Sequence, residues 1–311
     1  MEMNKQKILK LCKDIEKKSG QGSIFALGSK HSNLKIPRFS TGIEDLDHAL
    51  GGGMPKGRIV EIFGVESSGK TSLGYHLMSQ QELGLFIPIE GTFDAARAKV
   101  FGNKPKQMLI YRASYGEEAL NKTMEFAAAG IPLIVIDSVP ACIPKDDKDK
   151  GRKNLEDQNR IGGVARLFSR ALPELAEICE VTGTTIILIN QVRDKMNAMM
   201  FGEKTDTPGG RAIKFYSSVR IQLARKGWIE VPNKDPRNSA NTQKIGLINK
   251  MKIVKSKVCN PLGEIEVPMF FDRGYESYDN IQKIRKEIMD YNNENFGRKK
   301  TKEEGITEDD E

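Results

Sequence analysis

A strand-like run at residues 58–63 leads straight into Gly64-Val-Glu-Ser-Ser-Gly69-Lys70-Thr71, and a helical pattern follows at once. The spacing GxxxxGK[ST] acquires chemical meaning in that strand–loop–helix setting. Glycines let backbone N–H groups wrap phosphate oxygens, and the helix start adds positive potential. Lys70 would neutralise the β- and γ-phosphates while the Thr71 hydroxyl ligates magnesium. Glu66, Ser67, Ser68, Gly69 and Ser72 complete the expected nucleotide cradle. A Gly/Ser turn with a surface lysine is the bland alternative, and the flanking strand and helix argue against it.

Such a loop calls for a parallel sheet whose strand ends share one edge. Runs at 85–89, 133–136 and 185–189 read as further strands, alternating with helical patterns at 73–83 and 164–181. The expectation is an α/β P-loop NTPase core with a mostly parallel, twisted sheet over residues 34–272. Ahead of it, Ile8, Leu11, Cys12 and Ile15 recur at helical spacing within 5–17, and Ser23-Ile-Phe-Ala-Leu27 is a short strand-like run between glycines. Neither can bury a core alone, so residues 1–33 are expected to pack on something else. Behind the core, a helical run at 281–291 gives way to a charged end, Glu308-Asp-Asp-Glu311. Residues 273–311 are therefore expected to form a short helix with an acidic, disordered tail.

The remaining strands deliver chemistry to the same edge. Leu133-Ile-Val-Ile-Asp137 ends in a carboxylate suited to holding magnesium together with Thr71. The strand at 85–89 ends at Glu90, where a carboxylate could polarise the water that attacks a γ-phosphate, although a plain strand-end acid would look the same. Ile189-Asn190-Gln191 places an amide where it could sense the γ-phosphate, with turn chemistry as the other reading.

A formal net charge of +7 tilts the choice of partner toward a polyanion. Four widely spread cysteines lack zinc or CxxC spacing, which fits a reducing compartment. The charged start has no apolar h-region and no run reaches membrane-span length, so the expectation is a soluble, cytoplasmic protein without a membrane partner. Two polar, glycine-containing stretches at 145–163 and 192–210 interrupt the alternation as long irregular loops. The second combines Arg193, Lys195, Met199, Met200 and Phe201, charges for phosphates and apolar side chains for insertion between bases. Gly209 and Gly210 would let backbone approach a strand, and Arg211 follows them. By composition alone, a surface loop without a DNA role remains open.

These motifs, in this order, resemble the RecA family of DNA recombinases. So do Lys5-Gln-Lys7, Gly22-Ser-Ile24, Phe39-Ser-Thr-Gly42, Gly57-Arg58-Ile59-Val60-Glu61-Ile62, Lys214-Phe215-Tyr216 and Lys255-Ser-Lys257, over a stretch reaching about Gly274. The resemblance implies a RecA-like core with an N-terminal helix–strand oligomerisation arm, and ATP and Mg2+ as cofactors. It implies a DNA-dependent ATPase that polymerises as a helical filament on single-stranded DNA, pairs it with homologous duplex DNA and exchanges strands. Lys70, Thr71 and Asp137 would bind MgATP, with Glu90 as catalytic carboxylate and Gln191 as γ-phosphate sensor. Lys255 and Lys257 would reach the ATP held by the neighbouring subunit, and Phe215 would relay between ATP site and interface. The two irregular stretches would be DNA-binding loops. Arg166 matches a phosphate contact, and Arg225, Lys226, Lys250 and Lys252 match a secondary site that admits duplex. Single-strand-binding protein and loading mediators would be further partners. From the residues alone, the lysine pair reads as a solvated edge strand and the basic set as a solvated face.

Several positions depart from the family pattern. Arg97 stands where a tyrosine usually stacks on adenine, which shifts the expected base contacts to Asp94, Arg97 and Phe271. Val65 replaces a common proline, the stretch 145–153 is unusually charged, and Pro173 replaces a helical arginine. After Gly274 the chain is too short for the family's duplex-capturing domain, as would suit a phage or mobile element. Two rival readings are a RecA-fold helicase and a non-hydrolysing mediator. The arm and the paired lysines favour a filament over the first, and retention of Lys70, Thr71, Asp137 and Glu90 disfavours the second.

Overall fold

The computed structural model describes residues 2–20, 23–24, 36–91, 93–151, 162–194, 205–233, 242–260 and 263–296. The chain divides into two compact units, Met1–Pro37 and Arg38–Glu311. In the first, α1 (Glu2–Ser19) closes with Lys17 and Lys18 in its last turn, where cations complement the helix dipole. Its Ile8, Leu9 and Leu11 are exposed. Of the strand-like run expected next, Ser23 and Ile24 form a bend instead, and 25–27 lie outside the described residues.

The second unit runs β1 (Arg38–Phe39), α2 (Glu44–Ala49), β2 (Met54–Pro55), β3 (Ile59–Gly64), α3 (Lys70–Ser79), β4 (Gly84–Pro88), α4 (Ala95–Val100) and β5 (Met108–Ile110). Then come α5 (Gly116–Ala128), β6 (Leu133–Asp137), a 3-10 turn (Val139–Ala141), α6 (Lys145–Gly151), α7 (Gly163–Thr182), β7 (Thr185–Gln191), β8 (Arg193–Asp194) and β9 (Thr205–Asp206). The chain continues through α8 (Gly210–Tyr216), β10 (Val219–Pro232), β11 (Thr242–Ser256), β12 (Glu264–Phe270), β13 (Gly274–Tyr275) and α9 (Tyr278–Phe296).

Nine strands form the main sheet in the order β13-β12-β11-β10-β3-β7-β6-β4-β5. The six from β10 to β5 run parallel, as expected of an α/β core. An antiparallel extension, β11 to β13, was not singled out by the strand–helix alternation. Strands β3, β4 and β6 are buried at every residue, the consequence of covering both faces of a parallel sheet. On one face Leu73 and Leu77 of α3 meet Val60, Ile62 and Phe86. On the other, Leu120 of α5 and Phe168, Leu172 and Leu175 of α7 meet Ile134, Ile136 and Leu188. The last helix seats Ile281 against Ile229 and Phe270 of the extension.

Both stretches expected to be irregular carry structure. The first opens with α6, because Asp146 and Asp147 complement its first turn and Glu117 of α5 accepts the Lys145 N–H at 2.9 Å. At the base of the second, β8 and β9 pair antiparallel, Arg193 opposite Asp206 and Asp194 opposite Thr205. Lys195, Met199, Met200 and Phe201 lie outside the described residues, as do 152–161 and the tail 297–311. Among the described residues no helix is long and apolar enough to cross a membrane.

Candidate functional site

Strand register assembles the site. Gly64 lies opposite Gln191, and Asp137 lies opposite both Ile189 and Pro88, so the phosphate loop, the amide and the carboxylate share the C-terminal edge of the sheet. Glu90 follows two residues past the end of β4. The loop itself needs left-handed backbone at Ser67 (φ 56°) and at Gly69 (φ 87°), the residue that caps α3. A Cβ at Gly64 would come within 2.1 Å of the Leu223 carbonyl, so the close approach of β3 and β10 there requires glycine.

Asn249, absent from the sequence-based site, clamps this loop. Fully buried in β11, it donates from Nδ2 to the Ser68 carbonyl at 2.6 Å and accepts the Tyr275 hydroxyl on Oδ1 at 2.9 Å. A polar residue amid the apolar run Ile-Gly-Leu-Ile-Asn249-Lys-Met was the only available signal. Nothing local connected it to a loop 181 residues away.

Thr71 Oγ1 donates to Asp137 Oδ2 at 2.7 Å. Burial raises the Asp137 carboxyl to about 6, with the Thr71 bond pulling down, Glu90 pushing up and Lys70 pulling down. Burial also lowers Lys70, whose Nζ donates to the Val65 carbonyl at 2.7 Å. Glu90 Oε1 accepts from the Ser138 hydroxyl and, at 3.3 Å, from Gln191 Nε2, so the two strand-end groups singled out from sequence do meet. The converging oxygens of Thr71 and Asp137 are hard donors that fit magnesium. Among the described residues no group of three or more His, Cys, Asp or Glu could enclose a metal, so nucleotide oxygens and water would have to complete its shell.

Arg97 and Phe271 also come together. The Arg97 guanidinium donates to the Phe271 carbonyl at 2.9 Å and lies over the rings of Phe101 and Phe271, 5.1 and 5.7 Å from their centroids. Asp94 caps α4, accepting the Arg97 N–H at 2.9 Å.

Lys255 and Lys257 stand elsewhere. Lys255 is opposite Arg220, which is itself opposite Glu61, and the Lys257 N–H bonds Ser218, whose own N–H bonds Ile59. They therefore sit three to five residues behind Gly64 along the strands, about 10–17 Å at ~3.3 Å per residue. Lys255 Nζ donates to the carbonyls of Lys214 and, at 3.0 Å, Phe215, and Lys257 Nζ donates to Phe215 at 2.8 Å. Together they cap the C-terminus of α8 beneath an exposed Phe215. Burial, then Lys257 and Arg220, lowers Lys255 to about 8 against the pull of Glu61.

Between the two ends runs a buried polar chain. Glu61 accepts from Asn190 at 2.8 Å and from Arg220, while Asn190 also donates to the Pro208 carbonyl at 2.9 Å and accepts the Gln191 N–H at 2.9 Å. It ties the strand that carries the phosphate loop to the foot of the second irregular stretch.

The residues singled out for nucleic acid divide. Arg166, Arg193 and Arg211 are exposed. Arg166 lines a cavity of about 540 Å³ between α5 and α7, beside Glu117, Asp146 and Arg170. Gly209 and Gly210 have internal reasons to be glycine: a Cβ would meet Ile213 at 2.2 Å and Ala165 at 2.9 Å, with positive φ at both. Lys226 pairs with Glu266 and Lys250 with Glu264, each at 2.6 Å, whereas Lys252 is exposed and Arg225 lies over the Trp228 ring.

A glycine-rich loop between strand and helix, with a buried carboxylate on the neighbouring strand end, defines a P-loop nucleotide-binding α/β protein. Its sequence is more specific: the profile of the RecA N-terminal domain matches residues 6–276. Protein RecA of Thermus aquaticus is 38% identical over 284 residues, 89% of this chain and 79% of the relative. Protein RecA of Helicobacter pylori (strain P12) is 40% identical over 295 residues, covering 93% and 79%. That of Lactococcus lactis subsp. cremoris (strain MG1363) is 41% identical over 276 residues, covering 87% and 68%. The chain belongs to the RecA family, as a recombinase of DNA recombination and repair, with nucleotide binding, DNA binding, self-association and DNA-dependent ATPase activity by membership.

Proposed function

We propose that this chain is a cytoplasmic, Mg2+- and ATP-dependent recombinase that forms a helical filament on single-stranded DNA and exchanges strands with homologous duplex. Residues 1–33 serve as the polymerisation arm, 34–272 as the ATPase core with DNA loops at about 145–163 and 192–210, and 273–311 as a short C-terminal appendage. The observation that carries this reading is the shared edge of Gly64, Gln191 and Asp137, with Glu90 hydrogen-bonded to Gln191. There the N–H groups of Glu66 to Ser72 and the Lys70 ammonium take the triphosphate, and Thr71 with Asp137 holds magnesium, which supplies charge neutralisation at the transferring phosphoryl group. Glu90 orients the attacking water, and Gln191, bonded to it, reads the γ-phosphate. Asp94, Arg97 and Phe271 bound the base.

The position of Lys255 and Lys257, about 10–17 Å behind their own phosphate loop, favours service to a neighbour's nucleotide. A filament contact of this kind is heterologous and propagates, and a nucleotide lodged in it stabilises the assembled state. The exposed Ile8 and Leu11 of α1 suit docking on a second protomer. Arg166, Arg193, Lys195, Met199, Phe201, Gly209, Gly210 and Arg211 are assigned to the first strand, and Arg225, Lys226, Lys250 and Lys252 to the second. Single-strand-binding protein and loading mediators are the expected auxiliary partners.

A fluorophore–quencher strand-exchange assay tests the proposal, run with ATP, without nucleotide and with a heterologous duplex. Exchange that requires both ATP and homology supports it. Unwinding that ignores homology would indicate a motor, and DNA binding with neither activity a mediator.

A further inference from the structure

Arg38 opens the second unit, and its side chain reaches across the fold to the strand that carries Lys255 and Lys257. The guanidinium forks between three backbone carbonyls. Nη1 donates to Leu50 at 2.7 Å and to Gly53 at 3.0 Å, and Nη2 donates to Val258 at 2.6 Å. Leu50 caps α2, and the left-handed turn Gly51 to Gly53 folds over the arginine: a Cβ at Gly52 would lie 3.7 Å from its Cδ, and one at Gly51 would lie 3.1 Å from the Cβ of Cys259. The chain after Arg38 is fixed as well, because Thr41 donates to Asp47 of α2 from its N–H at 2.7 Å and from its hydroxyl at 2.6 Å.

Val258 is the residue after Lys257. Strand β11 ends at Ser256, and beyond it the Lys257 N–H bonds the Ser218 carbonyl at 2.8 Å, while Ser256 Oγ accepts the N–H groups of Val258 at 3.1 Å and Cys259 at 2.9 Å. Those bonds stay within the strand pair, whereas Arg38 ties the turn to β1 and α2. Lys255 and Lys257 must leave the α8 carbonyls to reach a second protomer, and a fixed strand end confines that movement to their side chains.

We infer that Arg38 is a positioning residue for the trans-acting lysines: its clasp on Val258 fixes the strand end from which Lys255 and Lys257 reach a neighbour's phosphates. The planar fork suits this task, since it holds carbonyls on two sides at once. A displacement of about 1 Å in a group that stabilises the transition state costs on the order of a hundredfold in rate. The nucleotide bound at the other end of the strands does not depend on the clasp. This inference rests on the trans-site reading above and adds a residue that touches neither nucleotide nor DNA.

The test measures ATP turnover by full-length chains on fluorescein-labelled single-stranded DNA, whose anisotropy reports assembly. Arg38→Ala should lower kcat per assembled subunit about tenfold with KM nearly unchanged. Its isolated protomers should bind a fluorescent ATP analogue as tightly as the unaltered chain, and Arg38→Lys, which reaches one side of the fork, should recover part of the rate. Equal mixtures with Glu90→Gln give the decisive readout. That chain cannot turn over its own ATP but carries intact lysines, so a complete site forms wherever it serves an Arg38→Ala neighbour. Owner and neighbour are drawn independently, so turnover should rise to about a quarter of the unaltered rate, against about a twentieth if the two chains merely average. The double change Lys255→Ala and Lys257→Ala, mixed in the same way, is the reference. Recovery by both mixtures supports the inference. Recovery by the lysine mixture alone, or normal turnover by Arg38→Ala unmixed, would overturn it and leave the trans site standing. No recovery by the lysine mixture would remove the trans site and the inference together. Should Arg38→Ala protomers fail to bind the analogue, Arg38→Lys takes their place in the same mixtures.

Discussion

The two ends of the β3–β10–β11 strand group handle charge in opposite ways. At the C-terminal end, Thr71 bonds Asp137, Gln191 bonds Glu90, Lys70 bonds the Val65 carbonyl, and Asn249 fixes the loop from behind. At the other end, Lys255 and Lys257 donate to the carbonyls of α8, and burial has lowered Lys255. The first end is held by bonds among its own strand-end groups, whereas the second holds two cations on a helix terminus. If Lys255 and Lys257 serve a neighbour's nucleotide, as proposed, such a division would let a monomer bind nucleotide and turn it over only when copies meet, coupling hydrolysis to assembly.

The sharpest way to break that comparison is Lys70→Ala. It should abolish ATP-dependent filament growth, followed by light scattering on single-stranded DNA, and undiminished growth would refute the coupling. The double change Lys255→Ala and Lys257→Ala comes next. If these cations act like an arginine finger supplied in trans, hydrolysis by filaments should fall by about a thousandfold or more while isolated protomers bind a fluorescent ATP analogue normally. Normal turnover would place these charges outside the reaction.

Asn249→Ala separates the ends more gently. It leaves the Ser68 carbonyl and the Tyr275 hydroxyl unpaired in a buried place, at a cost of about 1–3 kcal/mol. Urea unfolding should register that loss and nucleotide affinity should drop about tenfold, while the contacts around Lys255 are untouched. The smallest effect is in pH. Because the folded-state value of Lys255 lies near 8, below the ordinary 10.5, the ammonium is lost as pH rises through 8. Assembly rates should decline there, and Lys255→Arg should flatten the profile. The stability contribution has the opposite sign: between about 8 and 10.5 the unfolded chain binds more protons, so this group makes the fold more stable as pH rises. An assembly rate independent of pH from 7 to 9 would show that the charge of Lys255 is not used.

Legibility followed the range of the forces involved. The phosphate loop was readable because glycine freedom, phosphate charge and helix polarity act within eight consecutive residues. Asp137, Glu90 and Gln191 were readable as strand ends, since parallel strands in one sheet deliver their last residues to one edge. The Arg97–Phe271 pairing followed from the resemblance rather than from any local rule, with 174 residues between the partners. The clamp at Asn249 and the neutralisation of Lys226 and Lys250 depend on which strands become neighbours, and no residue pattern nearby announces them. The helix α6 was missed for a different reason: its first N–H is satisfied by Glu117, a side chain from another helix.

By itself, then, the order of residues determined a P-loop α/β core, the groups at its strand ends and its family, because these depend on local backbone geometry and on strand ends. Tertiary structure alone decided that Lys255 and Lys257 stand behind the site rather than in it. It also decided that Arg225 and Lys244 lie over the Trp228 ring and that a buried Glu61–Asn190–Arg220 chain joins the phosphate strand to the foot of the second loop. Those outcomes rest on strand pairing and register, which bring together side chains that lie far apart in sequence and set which charges are spent inside the chain.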